Sequence, residues 1–190
     1  WRPSHGRVVR LFCDIRYPDG RPYELDCRTV LKNAVEFAKE RGVVCNIGTE
    51  FEFYLFKTDE NGERTETPAD EAGYMDVAPA DKGENVRREI CLTIEEMGLY
   101  PESSHHEEGP GQNEIDFKYA SALKAADHAV IFKNAAETVA YKNGFYASFA
   151  PKPVAGRSGN GLHVNISLAD ADEKKFSSFM AGVLNRISEI

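Results

Sequence analysis

The sequence predicts an α+β fold in which helices pack against a largely antiparallel sheet. Several segments alternate apolar and polar residues with the period of two that a strand with one buried face requires. Other segments repeat their apolar residues at helical spacing. The two kinds of segment do not follow the regular β-α-β alternation that builds parallel sheets, and this favours the antiparallel arrangement.

The first third of the chain is expected to contain a strand, a helix and a second strand. Residues 8–15 are mostly apolar and precede a Tyr-Pro-Asp-Gly turn, so they are predicted to be a strand. Asp26 is placed to cap a helix that ends at Gly42. Residues 43–56 follow as a strand, because phenylalanine and leucine alternate with glutamate and tyrosine in their second half.

The middle third is expected to bring a helix and a hairpin. Residues 57–79 have the composition of a turn and a loop. Asp81 then caps a helix that Gly98 closes. An extended segment follows, a Glu-Gly-Pro-Gly sequence makes a sharp turn, and residues 113–119 alternate as a strand.

The last third is expected to be a long helix, two strands and a final helix. An alanine-rich helix runs from Ser121 to about Lys142. Short strands are predicted at 145–150 and 162–168, joined by a glycine-rich loop. The final helix is still amphipathic at the chain end and has no stop signal, so the chain is expected to be cut from something longer.

Composition restricts the function. The 190 residues carry 31 Asp and Glu against 23 Lys and Arg, and this net charge of -8 disfavours nucleic-acid binding. No segment has the length and apolarity of a membrane span or the core of a signal peptide, so we expect no membrane partner and a cytoplasmic location. The cysteines are far apart, lack C-x-x-C spacing and are predicted to be reduced packing residues. They are Cys13, Cys27, Cys45 and Cys91.

Four glutamates and one histidine occupy positions where a metal site could form. Glu50 and Glu52 share a strand face, Glu107 and Glu114 flank the sharp turn, and His163 lies on the polar face of a strand. Carboxylates with one imidazole suit Mg²⁺ or Mn²⁺. If the strands bring these groups together, a cation is needed to offset their repulsion. The alternative is an ordinary solvated sheet face.

Two further features allow more than one interpretation. His105 and His106 would point to opposite faces of a strand, so at most one of them is expected to join the site. Glycines between Gly156 and Gly161, with Lys152 beside them, could bring backbone N–H groups close to an anion. They could equally just build a loop, and they do not form a Walker A motif.

Five segments in order resemble the glutamine synthetase family over most of the chain. They are GTEFEFYLF at 48–56, SHHE at 104–107 with PGQNEID at 110–116, AD at 126–127, PKP at 151–153, and GNGLHV at 159–164 with SL at 167–168. The resemblance implies the catalytic-domain fold that this family shares with guanido kinases. Residues 1–190 would form part of that domain, without the N-terminal β-grasp domain and the C-terminal part.

The resemblance also implies roles for individual residues. Carboxylates that match Glu52, Glu107 and Glu114 hold one Mg²⁺ or Mn²⁺ in the family. The carboxylate that matches Glu50 and the imidazole that matches His163 hold a second. The positions that match ATP contacts are Glu102, Asn165 and Ser167, and those that match glutamate contacts are Ser158 and Gly159. No residue is assigned a catalytic role.

The chain departs from the family pattern at two of these positions. Ser158 stands where the family often has Asn, which bears on how the amino-acid substrate is held. Asn165 stands where a second His is common, which bears on the nucleotide site. Neither change removes a metal ligand.

The implied reaction makes glutamine from glutamate, ammonia and ATP through a γ-glutamyl phosphate. Because the family forms its active sites between subunits of a ring, a homo-oligomeric ring, namely a dodecamer, is expected for the full-length parent. The isolated chain is then expected to be inactive or nearly so. The alternatives are a γ-glutamyl ligase for another amine such as a polyamine, a non-catalytic relative, and a metal-dependent phosphohydrolase.

Overall fold

Residues 9–189 are described by the computed structural model, and within them lie six strands and four α-helices. In chain order the elements are α1 (Cys27–Glu40), β1 (Cys45–Thr58), β2 (Arg64–Pro68), α2 (Glu84–Glu96), β3 (Pro101–His106), β4 (Gln112–Ser121), α3 (Ala122–Lys142), β5 (Phe145–Ser148), β6 (Leu162–Leu168) and α4 (Glu173–Asn185), followed by a 3-10 turn at Ile187–Glu189. All strands belong to one antiparallel sheet, as the sequence predicts.

Strand β1 is the centre of the sheet and pairs with four other strands. Its first half lies between β6 and β4, and its second half pairs with β5 and β2. Strand β3 pairs with the outer side of β4. Side chains at directly opposed positions therefore form continuous rows across β6, β1, β4 and β3.

One face of the sheet is buried against α2 and α3. Phe51 and Phe53 on β1 belong to the same apolar core as Ile90 on α2 and Phe132 on α3. The rings of Phe51 and Phe132 lie 4.9 Å apart, centroid to centroid. Because strand side chains alternate between faces, burial of these phenylalanines turns the intervening glutamates of β1 to the opposite face.

Most predicted elements are confirmed, and one of the two predicted helix caps is found. The side chain of Asp26 accepts a hydrogen bond from the Thr29 amide and caps α1, as predicted. The predicted cap of α2 at Asp81 is wrong: this helix begins after Gly83 without a side-chain cap, and the Asp81 carboxylate accepts hydrogen bonds from the Gly83 amide and the Arg87 guanidinium. Helix α4 ends at Asn185 and does not continue through the last described residues.

Two strand predictions are wrong. Residues 9–15 of the predicted first strand form no strand: near its end the Tyr23 amide donates to the Ile15 carbonyl beside an isolated Arg16–Pro22 bridge, and Val9 and Leu11 are exposed. Val8 lies outside the described residues. Strand β2 lies in the segment predicted to be a loop, since its mostly polar residues give no apolar alternation.

The cysteines are free, as predicted, but only two of them pack. Cys45 and Cys91 are partly buried, whereas Cys13 and Cys27 are exposed, so a packing role for these two is wrong. In the described part of the chain, no helix combines the length and the apolarity that crossing a membrane requires.

The shared core predicts that substitutions at two positions of α3 differ strongly in their effect on the free energy of unfolding. Phe132→Ala removes a fully buried ring and should lower the free energy of unfolding by about 3–5 kcal/mol. Val130→Ala on the exposed side of the same helix should change it by less than about 0.5 kcal/mol. Urea unfolding measures both, and equal effects would contradict this description of the core.

Candidate functional site

The sheet face opposite α2 and α3 carries a group of acidic side chains, called the acidic face here. Glu52 on β1 lies directly opposite Glu114 on β4. Glu50 lies opposite Asp116 on β4 and, on its other side, opposite His163 on β6. Directly opposed residues have Cβ atoms about 4.5–5.5 Å apart, so these five side chains share one surface. The expected gathering of carboxylates therefore does occur.

Beside Glu114, the end of β3 completes a group that could hold a cation. His105 Nδ1 lies 3.4 Å from Glu107 Oε1, and His105 Nε2 lies 3.8 Å from Glu114 Oε2. One potential ligand atom from each of the three residues lies within 4.8 Å of the others. The structure thus brings Glu107 and Glu114 together, as predicted, and adds His105 to them.

Glu52 and His163 converge on the backbone of Gly161. A Cβ built at Gly161 would lie 2.7 Å from Glu52 Oε1 and 2.8 Å from His163 Nε2. Glycine is therefore required there for both side chains to keep their positions. Gln112 holds the other oxygen of Glu52, since its Nε2 donates to Glu52 Oε2 at 2.9 Å.

Glu50 is held from β6. His163 Nδ1 lies 3.0 Å from Glu50 Oε2, and Asn165 Nδ2 donates to Glu50 Oε1 at 2.6 Å. The side chains of His163 and Glu50 are 59% and 35% exposed, so this part of the acidic face is open to solvent. A ligand can reach Glu50 and His163 without any movement of the sheet.

The charges on the acidic face are not balanced by the protein. Burial, hydrogen bonds with Glu107 and Asp116, and repulsion from both raise the pKa of Glu114 from 4.5 to about 9. Burial also raises the pKa of Asp116. One oxygen of Asp116, Oδ1, is buried and has no hydrogen-bond partner among residues 9–189. A divalent cation fits this surface, because it would replace the proton and satisfy the unpartnered oxygen.

The residues predicted to contact ATP line one cavity next to Glu50. Its volume is about 250 Å³. Its lining includes Glu50, Glu102, Asp116, Asn165 and Ser167. The structure thus brings the three predicted nucleotide residues together beside two carboxylates, and their role in binding ATP stays a prediction.

The predicted glutamate contacts lie on the loop before β6. The Gly159 carbonyl accepts a hydrogen bond from Gln112 Nε2 at 3.0 Å, which joins the loop to Glu52. Tyr54 donates its hydroxyl to the Ser158 carbonyl at 2.7 Å. Ser158 donates its own hydroxyl to Glu108 Oε2 at 2.7 Å. Three hydrogen bonds therefore hold the loop, and the one from Gln112 connects it to the acidic face.

A second group of possible metal ligands is closed by its own ion pairs. Asp70, Asp81 and His106 are all buried. Asp81 pairs with Arg87 at 2.6 Å, and Asp70 Oδ1 lies 2.9 Å from His106 Nε2. Burial opposes ionisation of Asp70, yet hydrogen bonds from His106, Lys82 and Gly111 lower its pKa to about 2. Each carboxylate already has close partners inside the protein, so this group does not fit a metal.

Several residues of the site were missed from the sequence. Asp116 follows Glu114 by two positions on β4, so the alternation of the strand contained a signal for it. Gln112 and Tyr54 act through hydrogen bonds to distant residues, and only the folded chain reveals them. His106 is buried, in keeping with a core role for one histidine of the pair.

Comparison with known proteins identifies the family. Residues 24–188 match the family model described as glutamine synthetase, catalytic domain. The chain belongs to the glutamine synthetase family. It is 50% identical to the glutamine synthetase of Clostridium saccharobutylicum over 98% of its length, and 47% identical to that of Methanosarcina mazei over 88%. It spans 45% and 38% of the length of these two relatives.

Solved structures, among them a glutamine synthetase, have the same fold. A cryo-EM structure of Plasmodium falciparum glutamine synthetase superposes with a TM-score of 0.73, at 30% identity, over 83% of this chain and 36% of that one. A complex of GmaS with ADP gives a TM-score of 0.73 at 32% identity, over 84% of this chain and 37% of that one. The glutamine synthetase catalytic-domain fold expected from the sequence is thus confirmed.

The raised pKa of Glu114 predicts how the metal-free chain depends on pH. Between about pH 4.5 and 9 the folded chain keeps a proton on Glu114 that the unfolded chain releases, so stability should fall as the pH rises. Glu114→Gln cannot ionise and should flatten this dependence. Near pH 8 it should raise the melting temperature by about 2–4 °C for each kcal/mol gained.

Thermal melts in EDTA across this pH range measure the effect. Glu60→Gln in the exposed turn between β1 and β2 is the matched control and should keep the wild-type slope. A wild-type slope in Glu114→Gln as well would show that Glu114 does not carry the extra proton.

Proposed function

We propose that this chain supplies the metal-binding face and part of the nucleotide site of an ATP-dependent glutamate–ammonia ligase, a glutamine synthetase. The observation that supports it best is the register of β1. It places Glu50 and Glu52 on one face with Glu114 and His163, beside the cavity that contains Glu102. Family membership and the identity to glutamine synthetases support the same assignment.

Two divalent cations, Mg²⁺ or Mn²⁺, are part of the proposal. Glu52, Glu107 and Glu114 would hold one, and Glu50 and His163 would hold the other. Bound there, the cations would neutralise the negative charge on the γ-carboxylate of glutamate and on the phosphates of ATP. The unpartnered oxygen of Asp116 and the uncompensated charge of the acidic face support a cation in this place.

The chain's own residues would bind and orient the two anionic substrates. Glu102, Asn165 and Ser167 would contact the nucleotide in the cavity, and Ser158 and Gly159 would contact glutamate. Alignment of the γ-carboxylate with the terminal phosphate is the main requirement of phosphoryl transfer. The loop carrying Gly159 is tied to Glu52 through Gln112, so the amino acid would be held at a set distance from the acidic face.

The reaction then follows two displacements. An oxygen of the γ-carboxylate attacks the terminal phosphorus of ATP, the bond to the bridging oxygen breaks, and ADP leaves. Ammonia attacks the carbonyl carbon of the resulting γ-glutamyl phosphate. Phosphate leaves with the C–O electron pair, one proton is released to solvent, and glutamine remains. The metal-binding carboxylates serve both displacements, since charge develops on phosphate oxygens in each.

The complete active site is proposed to need more than this chain. The resemblance favours a homo-oligomeric ring, a dodecamer, in the cytoplasm, with sites completed by neighbouring subunits and by the rest of the catalytic domain. The chain spans less than half the length of the curated relatives quoted above, so we propose that the isolated chain has little or no ligase activity. Metal binding is the part of the function that this chain is proposed to retain.

Substitution of metal ligands tests the assignment in the full-length protein. Glu52→Ala and Glu114→Ala each remove an anionic ligand and should lower glutamine formation at least about 100-fold, since a bound cation contributes several kcal/mol. Glu60→Ala in the exposed turn is the control and should leave the rate unchanged. Near wild-type rates in both ligand variants would refute the assignment.

The same assay separates the alternatives. With ammonia and a polyamine offered together, the proposal predicts glutamine as the main product, and preferred use of the polyamine would contradict it. ATP hydrolysis without glutamate would indicate a phosphohydrolase. Millimolar Mn²⁺ should raise the melting temperature of the chain, and an unchanged value would favour a non-catalytic relative.

A further inference from the structure

The buried pair of Asp70 and His106 forms a hub beneath the acidic face. Both side chains are almost fully buried, with 2% and 0% exposure. His106 Nε2 lies 2.9 Å from Asp70 Oδ1, and His106 Nδ1 lies 2.6 Å from the Glu107 carbonyl oxygen. Both ring nitrogens therefore lie within hydrogen-bond distance of an oxygen that can only accept, one on a side chain and one on the backbone.

Asp70 extends this hub to the turn that follows Glu107. Its Oδ1 also accepts hydrogen bonds from the amides of Gly111 and Ala72, at 2.9 and 3.2 Å. Its Oδ2 accepts one from the Lys82 amide at 2.9 Å. The turn is thus held at two points, at the Glu107 carbonyl by His106 and at the Gly111 amide by Asp70.

The turn has little freedom to settle in another place. A Cβ at Gly111 would lie 2.8 Å from the Leu55 carbonyl oxygen and 2.9 Å from the Ala69 amide, so its backbone is in close contact with both segments. The Glu107 amide donates to the Gln112 carbonyl at 2.8 Å and closes the turn. The backbone of Glu107 is therefore determined by the hub, and the start of its side chain with it.

The hub is also connected to His105, whose ring lies close to the Glu107 carboxylate. The Met75 amide donates to the His106 carbonyl at 3.0 Å and holds the loop that begins at Asp70. Tyr74 on this loop packs edge-on against His105, with ring centroids 5.6 Å apart. His105 and Glu107 thus both depend on contacts made by the buried pair.

We infer that Asp70 and His106 are positioning residues that set Glu107 in place for divalent-cation binding on the acidic face. The inference rests on the proposed function, because it assumes that Glu107 is a metal ligand. The pair acts through the backbone of the turn and does not itself touch the cation. The hub is closed by its own hydrogen bonds, so it has no free ligand atom to offer.

Mn²⁺ binding by the chain, measured by calorimetry, tests the inference. Asp70→Asn and His106→Gln each break the hub and should weaken Mn²⁺ binding about 10–100-fold, the range typical of groups that orient metal ligands. Asp26→Asn is the matched control. It makes the same change at another buried carboxylate, whose hydrogen bonds to Thr29 lie at the start of α1 and not at the turn, and it should change the Mn²⁺ affinity less than about twofold.

Circular dichroism at the same temperature shows whether each variant is folded. An Asp70→Asn variant that is folded and binds Mn²⁺ like wild type would overturn the inference, and so would an equal loss in Asp26→Asn. In both cases the proposed function would stand. No Mn²⁺ binding by the wild-type chain would overturn the proposed metal site and this inference together.

Hydrogen exchange on the wild-type chain gives a second test that needs no variant. Linkage is reciprocal, so if the hub favours Mn²⁺ binding, Mn²⁺ must stabilise the hub by the same factor. Saturation with Mn²⁺ should slow exchange of the Gly111 amide, which bonds Asp70, by about tenfold. Exchange of the Thr29 amide, which bonds Asp26, should change less than about twofold, and equal slowing of both would contradict the inference.

Discussion

The antiparallel register of β1 with β4 and β6 is the constraint on which the site depends. It places Glu52 opposite Glu114 and Glu50 between Asp116 and His163. A shift of one residue would turn Glu50 and Glu52 toward the helices and expose the phenylalanines between them. Burial of Phe51 and Phe53 against α3 makes that shift costly, so the apolar core determines which side chains form the acidic face.

The acidic face brings like charges together in a place that the protein alone does not neutralise. In the metal-free chain the pKa of Glu114 is raised far above its ordinary value, so this side chain keeps its proton at neutral pH. One oxygen of Asp116 has no hydrogen-bond partner among the described residues. The nearby Asp70–His106 and Asp81–Arg87 pairs contrast with this, because each acid there has a close basic side chain of its own. The fold thus separates a closed, balanced group from an open one that favours a cation.

The sequence predicts the acidic face well because its signal is local. Alternation along β1 and β6 shows which side Glu50, Glu52 and His163 share, and motif resemblance supplies the family. Contacts made across the fold leave no such pattern. Asp70 lies in a segment that has the composition of a loop, and its partners at His106 and Gly111 are 36 and 41 positions away. Residues 9–15 show the opposite case, in which a local pattern predicts a strand that the fold does not form. An apolar run becomes part of a sheet only where another strand lies beside it.

A crystal of the chain soaked with Mn²⁺ tests the central claim most directly. Anomalous scattering at the manganese edge should show an ion bound by oxygens of Glu52, Glu107 and Glu114, at roughly the 2–2.2 Å that such small divalent cations adopt with oxygen ligands. Absence of anomalous density at these three glutamates, or glutamates on opposite sides of the sheet, would contradict the account. In either case the register of β1 would no longer explain the site.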